Sequence, residues 1–404
     1  MDIAVITGLY ASEKNPAGGS FIHERLKELR KQNIPYHVYV ISRRYSKGML
    51  FIYKHLFNGG LGNHTIFPWD DEPNFTALYD SVNLVTYVIS LLSPKLYWAV
   101  KRRPLLRQIQ STSETIFHAH WAYPHGFFAV KLAQEKGGKS VITCHGSDIH
   151  SNPKISPLLR KITVDTIHSA DKTIFVSNAL LSSAKELGYD GRNAVIIPNG
   201  VNLDAFYPIP HETAQKKLNW KPTKRYVVGF VGNLIPVKRA DKFVEIFSNI
   251  EKTISDVEFV LIGAGELESK IRSGCANAGL TTTFVGRIPH EMVGYWMNLF
   301  DVMILPSRNE GWPCVVLESY ACGTPVVGSD KGGISEALGG LCPAVPDDEE
   351  FESNFSDMIC QVLRGSHHIS PEKLRQHATE YTWENCMRKE VEAYNEVDSD
   401  KGVL

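Results

Sequence analysis

The sequence predicts two tandem α/β domains, each a doubly wound parallel sheet with helices on both faces. Three observations carry this. Short β-branched runs alternate with longer helical patterns over roughly the first 200 residues. A polar stretch at 203–223, with Pro208, Pro210 and Pro222, then interrupts the alternation like an interdomain linker. A second alternating series follows it. At 404 residues the chain also exceeds what one core comfortably organises.

In order, the first-domain strands are expected at 3–7, 37–41, 115–119, 140–144, 173–176 and 194–197. Helical patterns lie at 20–32, 126–135 and 178–187. The second-domain strands are expected at 226–231, 257–262, 283–285, 302–305 and 325–328. Helices should begin near Arg239, Leu267, His290, Pro313 and Ser335. The domains are therefore drawn at 1–203 and 204–382. A closing segment at 383–404 carries a helix over 383–397, expected to pack back toward the first domain. Two such sheets facing across a cleft would bind ligands at the carboxyl ends of their strands.

Residues 43–110 do not fit the simple alternation. They carry Arg43, Arg44, Lys47 and Lys54, then Lys95-Leu96-Tyr97-Trp98-Ala99-Val100-Lys101-Arg102-Arg103. Basic residues interleaved with Trp, Tyr and Leu suit an anionic membrane surface. The plainer reading, which we favour, is an insertion packing its apolar side over the sheet.

The formal net charge is −1, which argues against a nucleic-acid binder. Residues 1–200 hold 23 Lys and Arg against 15 Asp and Glu, leaving 20 against 29 in the remainder. A basic first half suits an anionic acceptor or membrane face. Seven dispersed cysteines without a C-x-x-C pair fit a reducing compartment and speak against a structural zinc site. The N-terminus runs directly into an apolar strand, without the basic flank of a signal peptide, so a cytoplasmic protein is expected, with the inner face of the cell membrane as an option.

The strongest chemical signal is Pro306-Ser307-Arg308-Asn309-Glu310-Gly311-Trp312-Pro313-Cys314-Val315-Val316-Leu317-Glu318. A buried strand ends at Leu305, a loop carries Glu310, and a helix begins near Pro313, where the missing proline N–H costs nothing. The backbone N–H groups of a helix start favour an anion such as a diphosphate. Two carboxylates, Glu310 and Glu318, suit the hydroxyls of sugar rings. Residues alone leave a plain alternative, in which Glu310 caps the helix and Glu318 is a surface side chain.

This segment resembles the E-x7-E signature of retaining glycosyltransferases of the GT-B fold, in particular glycosyltransferase family 4. Phe284-Val285-Gly286-Arg287-Ile288-Pro289-His290, Ala321-Cys322-Gly323-Thr324-Pro325, Gly332-Gly333-Ile334-Ser335-Glu336, Ile197-Pro198-Asn199-Gly200-Val201-Asn202 and His145-Gly146-Ser147-Asp148 resemble it too. The resemblance implies that Glu318 binds the nucleotide ribose and Glu310 the transferred sugar. It also places the backbone around Gly311, Trp312, Pro313 and Cys314 near sugar and phosphate, and Ile288 at the base through its main chain. Lys238, in Gly232-Asn233-Leu234-Ile235-Pro236-Val237-Lys238-Arg239, would neutralise the departing diphosphate. The family commonly has Arg where Asn233 stands, so that task falls on Lys238, with Arg239 as a helper.

In the first domain His145 follows a strand and resembles the family histidine beside the reacting sugar and phosphate. His120 ranks second and His118 third; alternation puts both on one face of their strand. Asp148 would orient His145 or touch acceptor, or else cap a turn. Gly18 and Gly19 open a helix in a loop that, in the family, lies over the diphosphate.

The implied enzyme needs no cofactor and no metal. Its partners are a nucleotide-sugar donor, UDP favoured over GDP, and a glycan or lipid-linked acceptor in cell-surface polysaccharide or glycoconjugate synthesis. A nucleotide-sugar epimerase and a non-catalytic nucleotide-sugar binder share the fold and are the alternatives. Gly263-Ala264-Gly265 lacks the third glycine of a dinucleotide fingerprint, and Asp398-Ser399-Asp400 sits in a polar tail, so neither is taken as a site.

Overall fold

The computed structural model describes residues 1–10, 19–56, 72–367 and 369–399. The chain divides into two compact units, Met1–Ile197 with Met387–Leu404, and Pro198–Cys386. The first unit holds strands β1 (Asp2–Thr7), β2 (Tyr36–Tyr45), β3 (Phe75–Val82), β4 (Thr115–His120), β5 (Lys139–Cys144), β6 (Lys172–Phe175) and β7 (Ala194–Ile196). They form one parallel sheet in the order β3-β2-β1-β4-β5-β6-β7, with Val5 opposite both Val38 and His118.

The second unit holds β8 (Tyr226–Val231), β9 (Val257–Ile262), β10 (Thr282–Gly286), β11 (Val302–Leu305), β12 (Val326–Ser329) and β13 (Ala344–Val345). Their order is β10-β9-β8-β11-β12-β13, again parallel. In both sheets the strand order reverses beside the first strand, between β1 and β4 and between β8 and β11. Ligands of doubly wound sheets sit outside such switch points.

The central strands are buried on both faces, which explains their near-continuous apolar runs: β9 is Val-Glu-Phe-Val-Leu-Ile, with every residue buried. Its one charge, Glu258, is satisfied by Thr223 (2.9 Å from both its amide and its hydroxyl) and by the Thr283 hydroxyl (2.7 Å). Ser177 caps the helix Asn178–Glu186 by accepting from the Leu180 amide, which fixes that helix start as the sequence implies.

Three boundaries differ from expectation. β3 and β13 lie where no strand is predicted, because each is a sheet edge and its pattern is short or polar. The second unit begins at Pro198 rather than after 203. Val201 bridges Thr382 and donates its amide to the Tyr381 carbonyl at 2.8 Å, so residues 198–202 are stitched to that unit. The supposed linker at 203–223 is part of it too, with the helix His211–Leu218 inside.

The closing helix Trp383–Ser399 belongs to the first unit from Met387 onward. There Glu390 pairs with Arg25, both 2% exposed, and Tyr394 donates to Glu390 at 2.6 Å. Tyr394 also accepts from His118 Nδ1 at 2.6 Å, while His118 Nε2 accepts from the Thr143 hydroxyl at 2.8 Å.

Within 43–110 the plainer reading accounts for the large aromatics. Tyr97 and Trp98 on the helix Pro94–Gln108 are buried, with Tyr97 donating to Asp80 and Trp98 to Glu135. Residues 57–71 of this stretch lie outside the described residues. Among the described residues no helix is long and apolar enough to cross a membrane.

Candidate functional site

At the switch point of the second unit, β8 and β11 hand the chain to two loops. The first passes Gly232 and Asn233 and makes a 3-10 turn, Pro236–Lys238; the second runs from Pro306 to Pro313. Lys238 Nζ and Glu310 Oε1 meet in an ion pair, each side chain less than a quarter exposed. Arg308 binds these loops to each other. Its two terminal nitrogens reach the two Asp241 oxygens at 2.6 and 2.8 Å, and its amide donates to the Val237 carbonyl at 2.8 Å. That hydrogen-bonded guanidinium holds the Asp241 carboxyl below the usual range.

Glycines set the loop geometry. A Cβ on Gly332, whose φ is +57°, would stand 2.2 Å from the Glu310 carbonyl, and the Gly333 amide donates to that carbonyl at 2.9 Å. The discounted Gly263 has the same kind of use. A Cβ there would lie 1.9 Å from the Gly232 carbonyl, so only glycine lets the loops after β8 and β9 touch.

The helix Cys314–Ala321 starts after Pro313, which occupies the cap position rather than the first turn, with no side-chain cap and no acidic residue in the first turn. Gly311 is buried beside it. Four residues into the helix, Glu318 Oε1 lies 2.9 Å from His290 Nε2, at the start of the helix that follows β10. Ile288 lies in the connecting loop and is half-buried. Lys238, Glu310 and Glu318 thus all stand at carboxyl ends of strands or on the elements that follow them.

One expectation changes. Arg239 is buried and donates to the Pro306 carbonyl at 3.0 Å, pairs with Asp347 and Glu352, and stacks 3.8 Å above the Phe351 ring. Its charge is spent on the fold, so it is no helper for Lys238. The Trp312 side chain is buried on Tyr381 and donates to the Asn199 carbonyl at 3.0 Å, which leaves only its backbone for a ligand. Asn233 is exposed and offers no charge.

In the first unit His145 stands just past β5 as expected. His118, His120 and His145 form a row, with ring centroids 4.8 and 5.1 Å apart and His120 Nδ1 2.9 Å from His145 Nε2. Burial pushes His120 and His145 well below the ordinary imidazole range, and His118 down to about 3. All three are therefore neutral at pH 7. Asp148 is buried and accepts from the backbone amides of Ala122 (3.0 Å), Gly146 (2.9 Å) and His145 (3.2 Å). It fixes the His145 loop, and burial removes it from contact with an acceptor. Gly19 takes the left-handed conformation, φ +82°, at the start of the helix Ser20–Lys31; Gly18 lies outside the described residues.

Sequence reasoning missed Arg308, Asp241 and His290. Arg308 and His290 lay inside quoted motifs, but nothing in the motif distinguishes an arginine that ties two loops from one that meets solvent.

Two family models match the chain in succession, "Glycosyltransferase Family 4" over residues 19–205 and "Glycosyl transferases group 1" over 211–358. The chain is 26% identical over 347 residues to TuaC of Bacillus subtilis, a glycosyltransferase assigned to teichuronic acid biosynthesis, covering 84% of this chain and 83% of that one. It is likewise 26% identical over 316 residues to the D-inositol 3-phosphate glycosyltransferase of Corynebacterium urealyticum, covering 74% and 69%. In fold it matches Anabaena Alr3699/HepE, solved in complex with UDP, at a TM-score of 0.71 and 14% identity over 98% of this chain and 100% of that one.

Proposed function

The chain belongs to glycosyltransferase family 4, the group 1 glycosyl transferases of the GT-B fold, and from that premise we propose a retaining, metal-independent transfer from a nucleoside-diphosphate sugar. The observation that carries this reading is the meeting of Lys238 and Glu310 at the switch point of the second unit, beside the start of the helix Cys314–Ala321.

Glu310 pairs with Lys238. A bound diphosphate takes over the lysine and the helix N-terminus, which frees Glu310 to accept hydrogen bonds from sugar hydroxyls. Glu318 accepts from the ribose hydroxyls. As the anomeric carbon–oxygen bond breaks, negative charge grows on the leaving phosphate, where Lys238 and the backbone amides already stand. The acceptor oxygen attacks from the same face through an oxocarbenium-like state and passes its proton to a phosphate oxygen. The products are the glycoside and the nucleoside diphosphate. Positive charge from lysine and backbone performs the task a metal ion would perform.

The acceptor falls to the basic first unit, where His145 acts as a neutral hydrogen-bonding imidazole. The UDP and UDP-glucose complexes of the Anabaena protein support a uridine-nucleotide donor, whose sugar we take to be a hexose or N-acetylhexosamine, and the similarity to TuaC supports a glycan or lipid-linked acceptor in cell-surface polysaccharide or glycoconjugate synthesis.

Thermal stabilisation by UDP and GDP, then by UDP-sugars, identifies the donor. Transfer to candidate acceptors in the presence of a chelator follows, with the product anomer read by NMR coupling. An inverted anomer, or activity lost to the chelator, overturns the mechanism. Epimer formed from donor alone would identify an epimerase instead.

A further inference from the structure

We propose that the first unit docks on an anionic membrane surface through the outer face of the consecutive helices Leu84–Leu92 and Pro94–Gln108. On the first helix Leu84, Val85, Val88 and Leu92 are 51%, 66%, 42% and 69% exposed, and three of them are spaced four apart on one stripe. On the second, Tyr97, Trp98 and Leu105 face the core, while Leu96 and Val100 stay about half exposed. Helical spacing continues the Leu96–Val100 stripe through the exposed Arg103 and Arg107. Isolated exposed leucines need no explanation, but six exposed aliphatic side chains on adjoining helices do.

Charge identifies the occupant. Between Asp80 and Glu114 the sequence has no acidic residue and five basic ones: Lys95, Lys101, Arg102, Arg103 and Arg107. Lys101 pairs with Asp80 at 2.7 Å, and Arg102 approaches Glu135 at 3.9 Å. Lys95, Arg103 and Arg107 have no ion-pair partner among the described residues. Apolar stripes edged by unpaired cations match the boundary between acyl chains and anionic headgroups.

A cavity of about 500 Å³ adjoins Leu92 and Lys95; Phe127, Val130, Leu158 and Ile162 give it an apolar wall deep enough for an acyl chain, and its one acidic lining residue, Asp165, is paired with Lys161 at 3.4 Å. At nine residues the helix Leu84–Leu92 is far below the ~20 needed to span a bilayer, so the contact lies in the interface plane. A second copy of the chain fits less well, since a symmetric contact would set these cations against one another.

The test is flotation of the full chain with vesicles of phosphatidylcholine, alone or mixed with phosphatidylglycerol. Partition into the mixed vesicles is expected, weakening as salt is raised. Arg103→Gln and Arg107→Gln should each lower it about five-fold. Val85→Asp with Leu92→Asp should abolish it, and Lys221→Glu in the second unit should leave it unchanged. No partition into the mixed vesicles overturns the proposal, as does equal partition by the aspartate variant. Self-association that this variant abolishes would assign the face to a second copy. Neither donor nor acceptor is present, so failure here leaves the transfer reaction untouched.

Discussion

Arg308 and Asp241 face each other in a two-pronged ion pair, and that pair joins the loop of Lys238 to the loop of Glu310. Both side chains are partly solvated, so the pair adds little to global stability. Its use is positional. A guanidinium fork fixes angle as well as distance, which a lysine at the same place would not do.

Arg308→Met should therefore melt within a few degrees of the wild type yet lower kcat/KM for donor roughly 10- to 100-fold through misplacement. Asp241→Asn should behave alike. Melting curves beside donor titrations check this, and unchanged kinetics would leave the pair as surface decoration.

Lys238→Ala should lower kcat by about 10²–10³, because it removes positive charge where the leaving group becomes anionic. Lys238→Arg should recover part of the loss. Near-normal turnover in the alanine variant would remove the lysine from the mechanism.

Gly332→Ala forces a side chain into the left-handed region and against the Glu310 carbonyl. A cost of about 2 kcal/mol or more is expected in urea unfolding. Donor binding should weaken although no donor-contacting side chain is changed, which calorimetry with UDP would measure.

Acid should unfold the first unit early. Burial holds His118 down to about 3 and His125 down to about 4, whereas unfolded imidazoles protonate near 6.5. The unfolded chain binds the extra protons, so this stability is complete above about pH 6.5 and is lost as pH falls toward 3–4. Each such imidazole costs up to about 1.4 kcal/mol per pH unit over that window. His118→Gln should flatten the fall in melting temperature between pH 6.5 and 4; an unchanged slope would show that His118 does not carry it.

How much of this was legible in the sequence varies with what each residue touches. Strands such as β9 and β11 declare themselves because interior parallel strands are apolar on both faces. The edge strand β3 does not, since Asp80 and Ser81 break its pattern and only β2 pairs with it. Lys238, Glu310 and Glu318 were identified through motif resemblance, and the structure brings Lys238 and Glu310 together. Arg239 and Arg308 show the limit. Both are arginines beside the same loops, and only their three-dimensional neighbours separate the buried one from the one that couples the loops.

The last helical turns have a consequence for how the molecule is made. Glu390 supplies the carboxylate for Arg25, and Tyr394 holds His118, so residues far apart in the sequence complete one interior. A ribosome that has released only the first two hundred residues has not yet delivered that counter-charge. The segment up to Ile197 lacks that counter-charge until residues 390–394 have emerged, and a truncated clone ending near Ile197 would lose the Glu390 carboxylate from beside Arg25.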